Sequence, residues 1–263
     1  MRVTRTMAMA TLLVLALPAA GARAGEAASA ATRAAVAAAI ESPDRPAADR
    51  EQDARRMPAA VLDFAGIAPG MRVMDVFSAG GYYTELLART VGAKGQVIAY
   101  NNPPYARFAE KAITERYAGD RLPNVRQVTA TIEDLELAPS SLDAAIFIMS
   151  YHDLYWRPAD GSWPATDPMQ LLAKLRAALK PGGVVIVQDH VANAGGDTSQ
   201  VVDSLHRIDP AVVKRDFAQA GFSFDGSSDV LSHPADDHLK LVFDEVIRGR
   251  TDQFLFRFRK PTQ

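Results

Sequence analysis

The stretch RVMDVFSAGGYYTELLART at residues 72–90 decides the fold class of this chain. It begins with a short apolar run, Arg72 to Phe77, which is typical of a buried strand. The turn Ser78-Ala79-Gly80-Gly81 follows, and its glycines can adopt a positive φ and let a ligand approach the backbone closely. Helical spacing then extends from Tyr83 to Val91. A strand, a glycine turn and a helix in this order predict the first unit of an α/β sheet.

The same alternation of apolar runs and helical segments continues to the end of the chain. Further strands are predicted at residues 96–100, 124–129, 142–149, 184–188, 222–230 and 254–259. Helices are predicted from Pro58 and at residues 105–117, 169–179 and 210–220. Strands that alternate with helices of this length form a mostly parallel sheet with right-handed crossovers. The pattern therefore predicts one Rossmann-like, doubly wound α/β domain with seven strands.

The first 40 residues differ in character from the rest of the chain. Two positive charges lie within Met1 to Arg5, residues 7–20 are small and apolar, and Ala22-Arg23-Ala24 suits a signal peptidase. We therefore expect a signal peptide over residues 1–24, a low-complexity linker over 25–40 and the folded domain over 41–263. No later apolar run is long enough to cross a bilayer. The sequence thus predicts an exported protein, periplasmic or secreted, with no stable membrane insertion after cleavage.

Charge and cysteine content narrow the classes of partner. Cleavage after Ala24 removes Arg2, Arg5 and Arg23 and no acid, so 29 basic and 31 acidic residues become 26 and 31, and the formal charge moves from −2 to −5. A mildly acidic protein lacks the basic footprint that nucleic-acid binding requires, so no nucleic-acid partner is expected. The chain has no cysteine, which suits an oxidising compartment and restricts any metal site to histidines and carboxylates.

Three further segments, together with the glycine turn, carry a family resemblance. They are Leu142-Asp143, Leu179-Lys180-Pro181-Gly182-Gly183 and the closing pair of strands. Over residues 41–261 the chain resembles the class I S-adenosylmethionine-dependent methyltransferases. The following motifs resemble an exported group of predicted methyltransferases: Phe77-Ser78-Ala79-Gly80-Gly81-Tyr82, Tyr151-His152-Asp153-Leu154 and Pro234-Ala235-Asp236-Asp237-His238. The resemblance implies the strand order of that class with an antiparallel last strand, S-adenosylmethionine as cofactor and a small-molecule methyl acceptor.

The resemblance also places the cofactor. In a doubly wound sheet, ligands bind beyond the carboxyl ends of the strands, at the point where the strand order reverses. The first predicted strand ends at the glycine turn, so the turn should lie at that point. The implied cofactor-binding residues are Asp75, Ser78, Gly80, Gly81, Tyr82, Asn101, Thr131 and Asp134.

The chain departs from the family pattern at three cofactor anchors. Phe77 and Ala79 occupy the first two glycine positions of the turn, and the Phe77 side chain is expected to press on the methionine part of the cofactor. Asn101 replaces an acid that accepts hydrogen bonds from the ribose. We therefore expect weaker binding, which Asn101→Asp would tighten by about 1–2 kcal/mol. Thr131 replaces an aspartate near the adenine. A non-catalytic binding protein on the same fold is the alternative function.

Candidate catalytic residues follow the fourth and fifth predicted strands. Tyr151, His152 and Asp153 come after the fourth strand, and His190 ends the fifth. Both strand ends should open onto the same cleft as the glycine turn. Histidine is the side chain best suited to take a proton from an acceptor hydroxyl near neutral pH. We therefore predict His152 as the base, with Tyr151, Asp153 and His190 as further catalytic residues.

Four of the five histidines lie beside or near an acid, and this pattern has more than one interpretation. They are His152, His190, His206 and His238. Such pairs can act as bases with orienting carboxylates or bind a divalent metal, and a metal-dependent hydrolase is a third possible function. Each histidine could equally cap a helix or bond to a core carbonyl, and His206 fits that role best. No metal ligand is assigned, because no His-x-x-x-His or Glu-x-x-His spacing occurs.

Overall fold

The computed structural model describes residues 29–262 and contains one seven-stranded sheet. In chain order the strands are β1 (Arg72–Val76), β2 (Gln96–Asn101), β3 (Val125–Thr129), β4 (Leu142–Ile148), β5 (Leu179–His190), β6 (Ser223–Ser228) and β7 (Gln253–Arg259). They lie side by side in the order β3-β2-β1-β4-β5-β7-β6. Only β7 runs antiparallel to its neighbours, β5 and β6. The predicted fold class is therefore confirmed, including the antiparallel last strand.

Helices connect the strands and cover the sheet. They are α1 (Ala30–Glu41), α2 (Ala47–Arg50), α3 (Asp53–Arg56), α4 (Pro58–Ala65), α5 (Tyr82–Val91), α6 (Pro103–Phe108), α7 (Glu110–Tyr117), α8 (Pro168–Ala178), α9 (Thr198–Leu205) and α10 (Pro210–Gln219). Two 3₁₀ turns cover Ala118–Asp120 and His152–Leu154. The segment predicted as one helix over residues 105–117 is two helices, because the backbone breaks at Ala109 with φ −99° and ψ 7°. Within residues 29–262, no helix is both long and apolar enough to cross a membrane.

The N-terminal segment differs from the expectation of a linker over residues 25–40. From Ala30 onward it is the helix α1, which the Ser29 hydroxyl caps by accepting from the Thr32 N–H at 3.1 Å. Its buried residues Val36 and Ala39 pack towards α4 and α5. The small alanine side chains let the helices approach closely, so a stretch of low complexity still contributes to the core. The expected signal peptide and the start of the expected linker lie outside the described residues.

Strand β5 begins five residues earlier than the pattern predicts. Leu179 already pairs with Leu142 of β4, and the register shifts before Ala144 pairs with Val184. The Lys-Pro-Gly-Gly segment is therefore an irregular start of β5. A Cβ at Gly183 would lie 3.0 Å from the Asp143 carbonyl oxygen, so only glycine fits against β4 there.

Two apolar clusters cover the two faces of the sheet. Met74 and Val76 of β1 face the first cluster together with Phe217 of α10, whereas Val73 faces the second together with Leu86 of α5. Successive side chains of a strand point to opposite faces, and both faces of β1 are covered. The strand order reverses between β1 and β4, so a cleft opens beyond their carboxyl ends.

Candidate functional site

A cavity of about 840 Å³ occupies this cleft and extends to the end of β5. Its volume is in the range of small-molecule and cofactor sites. Eight of the twelve predicted site residues line it: Asp75, Ser78, Gly80, Gly81, Tyr82, His152, Asp153 and His190. The other four, Tyr151, Asn101, Thr131 and Asp134, do not. The topology therefore brings most of the candidate residues together.

The glycine turn keeps its shape although two glycine positions hold larger residues. Phe77, Ala79 and Gly81 all have positive φ, at 55°, 46° and 81°. A left-handed conformation costs a non-glycine residue about 1–2 kcal/mol, so something must hold the turn. Asn101 does so: its Oδ1 accepts from the Ala79 N–H at 2.9 Å, and its Nδ2 donates to Ser78 Oγ at 3.1 Å and to the Ala79 carbonyl at 3.3 Å.

The Asn101 amide therefore has a different role in this structure from the expected contact with the cofactor ribose. Its amide is already committed to the turn and does not reach the main cavity. Aspartate there would lose both donated hydrogen bonds and would place a carboxylate beside the Ala79 carbonyl oxygen. Thr131 and Asp134 hydrogen-bond to each other at 2.8 Å on the surface. Any contact of these three residues with a cofactor would lie outside the cavity.

The glycines of the turn also accommodate helix α7. A Cβ at Gly80 would lie 2.8 Å from Ala112 Cβ, and one at Gly81 would lie 3.1 Å from the Tyr117 hydroxyl oxygen. The Arg116 Nε donates to the Gly80 carbonyl at 2.8 Å. The two glycines are thus required by packing within the protein, in addition to any contact with a ligand.

The Phe77 ring is part of an aromatic wall. It stacks on Tyr100 and Tyr105 with centroid distances of 5.6 and 5.2 Å. Trp163 contacts Tyr105 edge-on at 5.1 Å, and Trp156 contacts Trp163 at 5.2 Å. Phe77 therefore lines the cavity as one ring of this aromatic wall. Tyr105 and Trp163 were not predicted, because Tyr105 lies within α6 and Trp163 lies in the loop before α8 rather than at the strand ends themselves.

His152 lies in a buried network of carboxylates. Its Nδ1 is 2.7 Å from Asp189 Oδ1, and its backbone N–H donates to Asp189 Oδ2 at 2.9 Å. Its Nε2 is 3.5 Å from Asp153 Oδ1, and the Tyr105 hydroxyl donates to the other oxygen of Asp153. Asp189 is completely buried and fixes the imidazole ring. The sequence signal for Asp189 was its place at the end of β5, directly before His190.

Of the three histidines that line the cavity, His152 and His190 have opposite protonation states. Burial disfavours the imidazolium of His152, but the carboxylates of Asp153 and Asp189 outweigh it and raise the pKa of His152 to about 9. Burial lowers the pKa of His190 to about 3, against the opposing charge of Asp189. At neutral pH, His152 is therefore a cation and His190 is neutral. This differs from the expectation that His152 accepts a proton near pH 7.

Asp75 adds a further acid to the cavity. It is buried on β1 and accepts from the Thr84 hydroxyl at 2.6 Å. Burial raises the pKa of Asp75 to about 7, although the hydrogen bonds from Thr84 oppose the shift. Asp49 of α2 also lines the cavity, where Arg116 binds its carboxylate at 2.6 Å. We call Asp75, Asp153 and Asp189 the acidic floor of the site.

Tyr151 lies away from the cavity, whereas His206 both caps a helix and lines the cavity. Tyr151 is completely buried and donates to Asp216 Oδ2 at 3.0 Å on the side of α10, so it belongs to the core. His206 ends α9 with φ 49°, and its Nδ1 lies 3.0 Å from the Val202 carbonyl oxygen, which fits the predicted helix-capping role. However, its ring also lines the cavity and lies 5.6 Å from the His152 ring. Within residues 29–262, no group of three or more His, Asp or Glu side chains is arranged to hold a metal ion.

Comparison with known proteins agrees with this geometry. A family model described as a methyltransferase domain matches residues 67–221. A ubiquinone/menaquinone biosynthesis C-methyltransferase of Idiomarina loihiensis is 25% identical over 143 residues, which cover 54% of this chain and 51% of the relative. A tRNA (adenine(58)-N(1))-methyltransferase of Thermus thermophilus is 30% identical over 123 residues, which cover 46% and 41%. The chain thus spans about half of the length of these relatives.

Solved structures share the fold over most of their length. A SAM-dependent methyltransferase of Aquifex aeolicus superposes with a TM-score of 0.56 at 19% identity, covering 84% of this chain and 96% of that one. The [4+2]-cyclase SpnF superposes with a TM-score of 0.57 at 17% identity, covering 90% and 98%. The family model covers more than half of the chain and includes the glycine turn, His152 and His190. The chain therefore belongs to the methyltransferase domain family.

Proposed function

We propose that the protein is an exported enzyme that transfers the methyl group of S-adenosylmethionine to a hydroxyl or amine of a small-molecule acceptor, with His152 as the base. The observation that supports this most directly is the position of the 840 Å³ cavity. It joins the glycine turn to the buried His152–Asp189 pair across the reversal of strand order. A donor at the turn and an acceptor at β4 and β5 would therefore meet beside a histidine.

The chemistry of the cavity residues fits the charged part of the cofactor. When bound, S-adenosylmethionine supplies an electrophilic methyl group on a sulfonium cation. Asp75 and Asp153 bring carboxyl groups to the cavity, and the rings of Tyr105, Trp156 and Trp163 offer faces that attract cations. Asn101 offers the cofactor fewer free hydrogen-bonding groups, since its amide already bonds within the glycine turn.

His152 is oriented to act on the acceptor. Asp189 holds Nδ1, so the remaining ring nitrogen, Nε2, is the atom that can receive an acceptor proton. The pKa of about 9 means that the base form is scarce at neutral pH and increases as the pH rises. A positive charge bound nearby lowers the pKa of an imidazole, so a cationic ligand favours the base form of His152. His190 is neutral but too weakly basic to replace it.

Charge favours a small acceptor over a nucleic acid. One relative acts on tRNA by its name, yet the expected mature chain carries a formal charge of −5. A chain of net negative charge does not attract a polyphosphate backbone. We therefore propose an acceptor that fits inside the cavity beside the aromatic wall.

Cofactor binding can be tested with the protein's own fluorescence. The chain has two tryptophans, Trp156 and Trp163, and both line the cavity. Titration with S-adenosylmethionine is expected to give saturable quenching and a matching calorimetric heat. Transfer of labelled methyl to a panel of phenols, catechols and amines then tests the reaction. If neither quenching nor heat appears, the non-catalytic binding protein becomes the better interpretation.

Export is a separate part of the proposal. The basic, apolar and small-residue order of residues 1–24 supports cleavage after Ala24. Mass spectrometry of the protein outside the cytoplasm is expected to find Gly25 at the N-terminus. Detection of an intact Met1 in that fraction would contradict cleavage.

A further inference from the structure

A second cavity of about 290 Å³ adjoins the main one beyond the ends of β5 and β7. The two cavities share a wall, which is formed by Gln52, Arg56, Met149, His190, Val242 and Phe243. We call the second cavity the annex. Its other walls come from α3, from residues 242–251 and from the start of β7.

The annex is basic, whereas the main cavity is lined by three aspartates and three arginines. Arg55, Arg56 and Arg248 line it, and no aspartate or glutamate does. Among the described residues, none of these three arginines forms a salt bridge with a carboxylate. Other arginines of the chain do, and the buried Arg45 pairs with Asp53 at 2.7 Å.

Arg56 is held in place without having its charge neutralised. Its Nε donates to Gln52 Oε1 at 2.8 Å, and its guanidinium lies 4.5 Å from the centroid of the Tyr82 ring. Within residues 29–262, its two terminal nitrogens have no hydrogen-bond acceptor. Arg56 is half-buried, and this burial lowers the pKa of its guanidinium. Such a charge is costly unless an anion pairs with it.

The loop that carries Arg248 is fitted against Arg55. Gly249 has φ 77°, and a Cβ there would lie 2.6 Å from Arg55 Cδ. Only glycine lets the two segments approach this closely, and the approach brings two positive charges to one cavity. Like charges placed together without acids favour an anionic ligand between them.

A buried amide provides an independent observation. Gln188 of β5 is 1% exposed and lines the annex. Its Nε2 donates to Gln253 Oε1 at 2.7 Å, but its Oε1 has no hydrogen-bond partner. Buried carbonyl oxygens normally have a donor, so a ligand N–H or O–H would satisfy this one.

We propose that the annex binds a carboxylate or phosphate group of the methyl acceptor. The oxyanion pairs with Arg56 and Arg248, and a donor group beside it bonds to Gln188. The rest of the acceptor extends past His190 towards His152 in the main cavity. This inference rests on the proposed function only in naming the ligand as the acceptor. The anionic subsite itself follows from the residues of the annex.

Matched anionic and neutral probes test the subsite without methyl transfer. The full chain is titrated with 4-hydroxybenzoate, phenyl phosphate and the neutral 4-hydroxybenzamide, with tryptophan fluorescence and calorimetry as readouts. At least one anion is expected to bind tenfold or more tightly than the amide, and the better anion distinguishes carboxylate from phosphate. Arg56→Gln and Arg248→Gln should each weaken anion binding by about 10–100-fold, the range of a lost charge-assisted hydrogen bond.

Two variants serve as controls. Arg250→Gln removes the same charge two residues from Arg248 but lies outside the annex, so anion binding should stay within twofold. Arg56→Lys keeps the charge and should recover part of the affinity. Unchanged thermal melting and far-UV circular dichroism establish that each variant is folded.

Titration with S-adenosylmethionine separates the two sources of a carboxylate. If Arg56→Gln and Arg248→Gln weaken the cofactor but not the hydroxybenzoate, the annex binds the donor's carboxylate and the proposal is wrong. Equal binding of the anionic and neutral probes, or no binding of any probe at millimolar concentration, also overturns it. If anions bind as expected but the cofactor does not, the proposed methyl transfer fails while the anionic subsite stands.

Discussion

The main cavity and the annex share a wall but differ in the charged groups that line them. The main cavity has acids and arginines side by side, with Asp75 of β1 and Asp153 after β4 among the acids, whereas the annex has three arginines and no acid. His190 lines both cavities and is uncharged, since burial lowers its pKa to about 3. Arg56 also lines both cavities, so the positive charge of the annex reaches their shared wall. An anionic group of an acceptor would be drawn to the annex, and the rest of the acceptor would extend past the neutral His190 ring into the main cavity.

The two cavities also differ in whether their charged and polar groups have partners within the protein. In the main cavity, each acid of the floor has a partner: Thr84 for Asp75, Tyr105 for Asp153 and His152 for Asp189. In the annex, Arg56 has only Gln52 as a hydrogen-bond partner among the described residues, and Gln188 Oε1 lacks a donor. Groups left unsatisfied inside a protein are costly to stability, so they indicate where a ligand completes the structure.

The largest expected effect is on the rate of methyl transfer and is caused by a substitution of His152 in the main cavity. His152→Ala should lower the rate of methyl transfer by about 10²–10⁴-fold, because a positioned base contributes a factor of that size. Binding of S-adenosylmethionine should change only a few-fold, and anion binding in the annex should not change. Single-turnover rates and fluorescence titration measure the two quantities. His233→Ala, on an exposed histidine outside the cavity, is the control. Full turnover by His152→Ala would exclude His152 as the base.

The next effect concerns the pH dependence that the acidic floor imposes. The wild-type rate should rise with pH towards a plateau above about 9, because the pKa of His152 is raised to about 9. Asp189→Asn removes one of the two carboxylates that raise it, so the midpoint should move to lower pH. The plateau rate should also fall by about tenfold or more, since the ring is less firmly oriented. A pH–rate profile of both proteins provides the test, and an unchanged midpoint would show that Asp189 does not act on His152.

A smaller effect is expected at Asn101, whose amide holds the glycine turn. Asn101→Asp should destabilise the protein by about 1–3 kcal/mol, because two donated hydrogen bonds are lost. Cofactor binding should weaken, in contrast to the tightening expected from the sequence pattern. Asn124→Asp is a matched control, since its Nδ2 donates to two carbonyl oxygens at 2.8 and 3.0 Å far from the cavity. It should lower stability similarly and leave cofactor binding unchanged. Tighter binding by Asn101→Asp would show that this residue does face the ribose.

The smallest effect concerns Asp75, whose ionisation lowers the stability of the folded protein. Burial raises the pKa of Asp75 from 3.8 to about 7, so ionisation destabilises the folded state as the pH rises through that interval, and the full cost is present above pH 7. Asp75→Asn should therefore raise the melting temperature at pH 8 by about 2–8 °C and change it little at pH 4. Cofactor affinity should fall several-fold as the negative charge is lost. Asp229→Asn, at an exposed position, should show neither change. A variant that is less stable at pH 8 would contradict the assignment.

Local sequence patterns were sufficient to predict the sheet. The strand runs and the glycine turn predicted seven strands, because hydrophobic period and turn residues act over a few positions. They also predicted that β1, β4 and β5 end at one cleft, since parallel strands align their carboxyl ends. Eight of the predicted site residues line the cavity for that reason. Patterns were less informative where packing decides: the alanine-rich segment from Ala30 is a packed helix, and Lys180 to Gly183 lie within β5.

What only the tertiary structure decided is the direction and partner of each side chain. The sequence by itself determined that His152 follows β4 and Asn101 ends β2. It did not determine that Asp189 binds the His152 ring, that Asn101 turns inward to hold Ala79, or that Tyr151 points into the core. The annex could not be predicted at all, because its arginines come from α3 and from the segment before β7. Their convergence depends on long-range packing, in which segments about 190 residues apart meet at Gly249 and Arg55. Charges that are distant in sequence become a site only when the folded core holds their segments together.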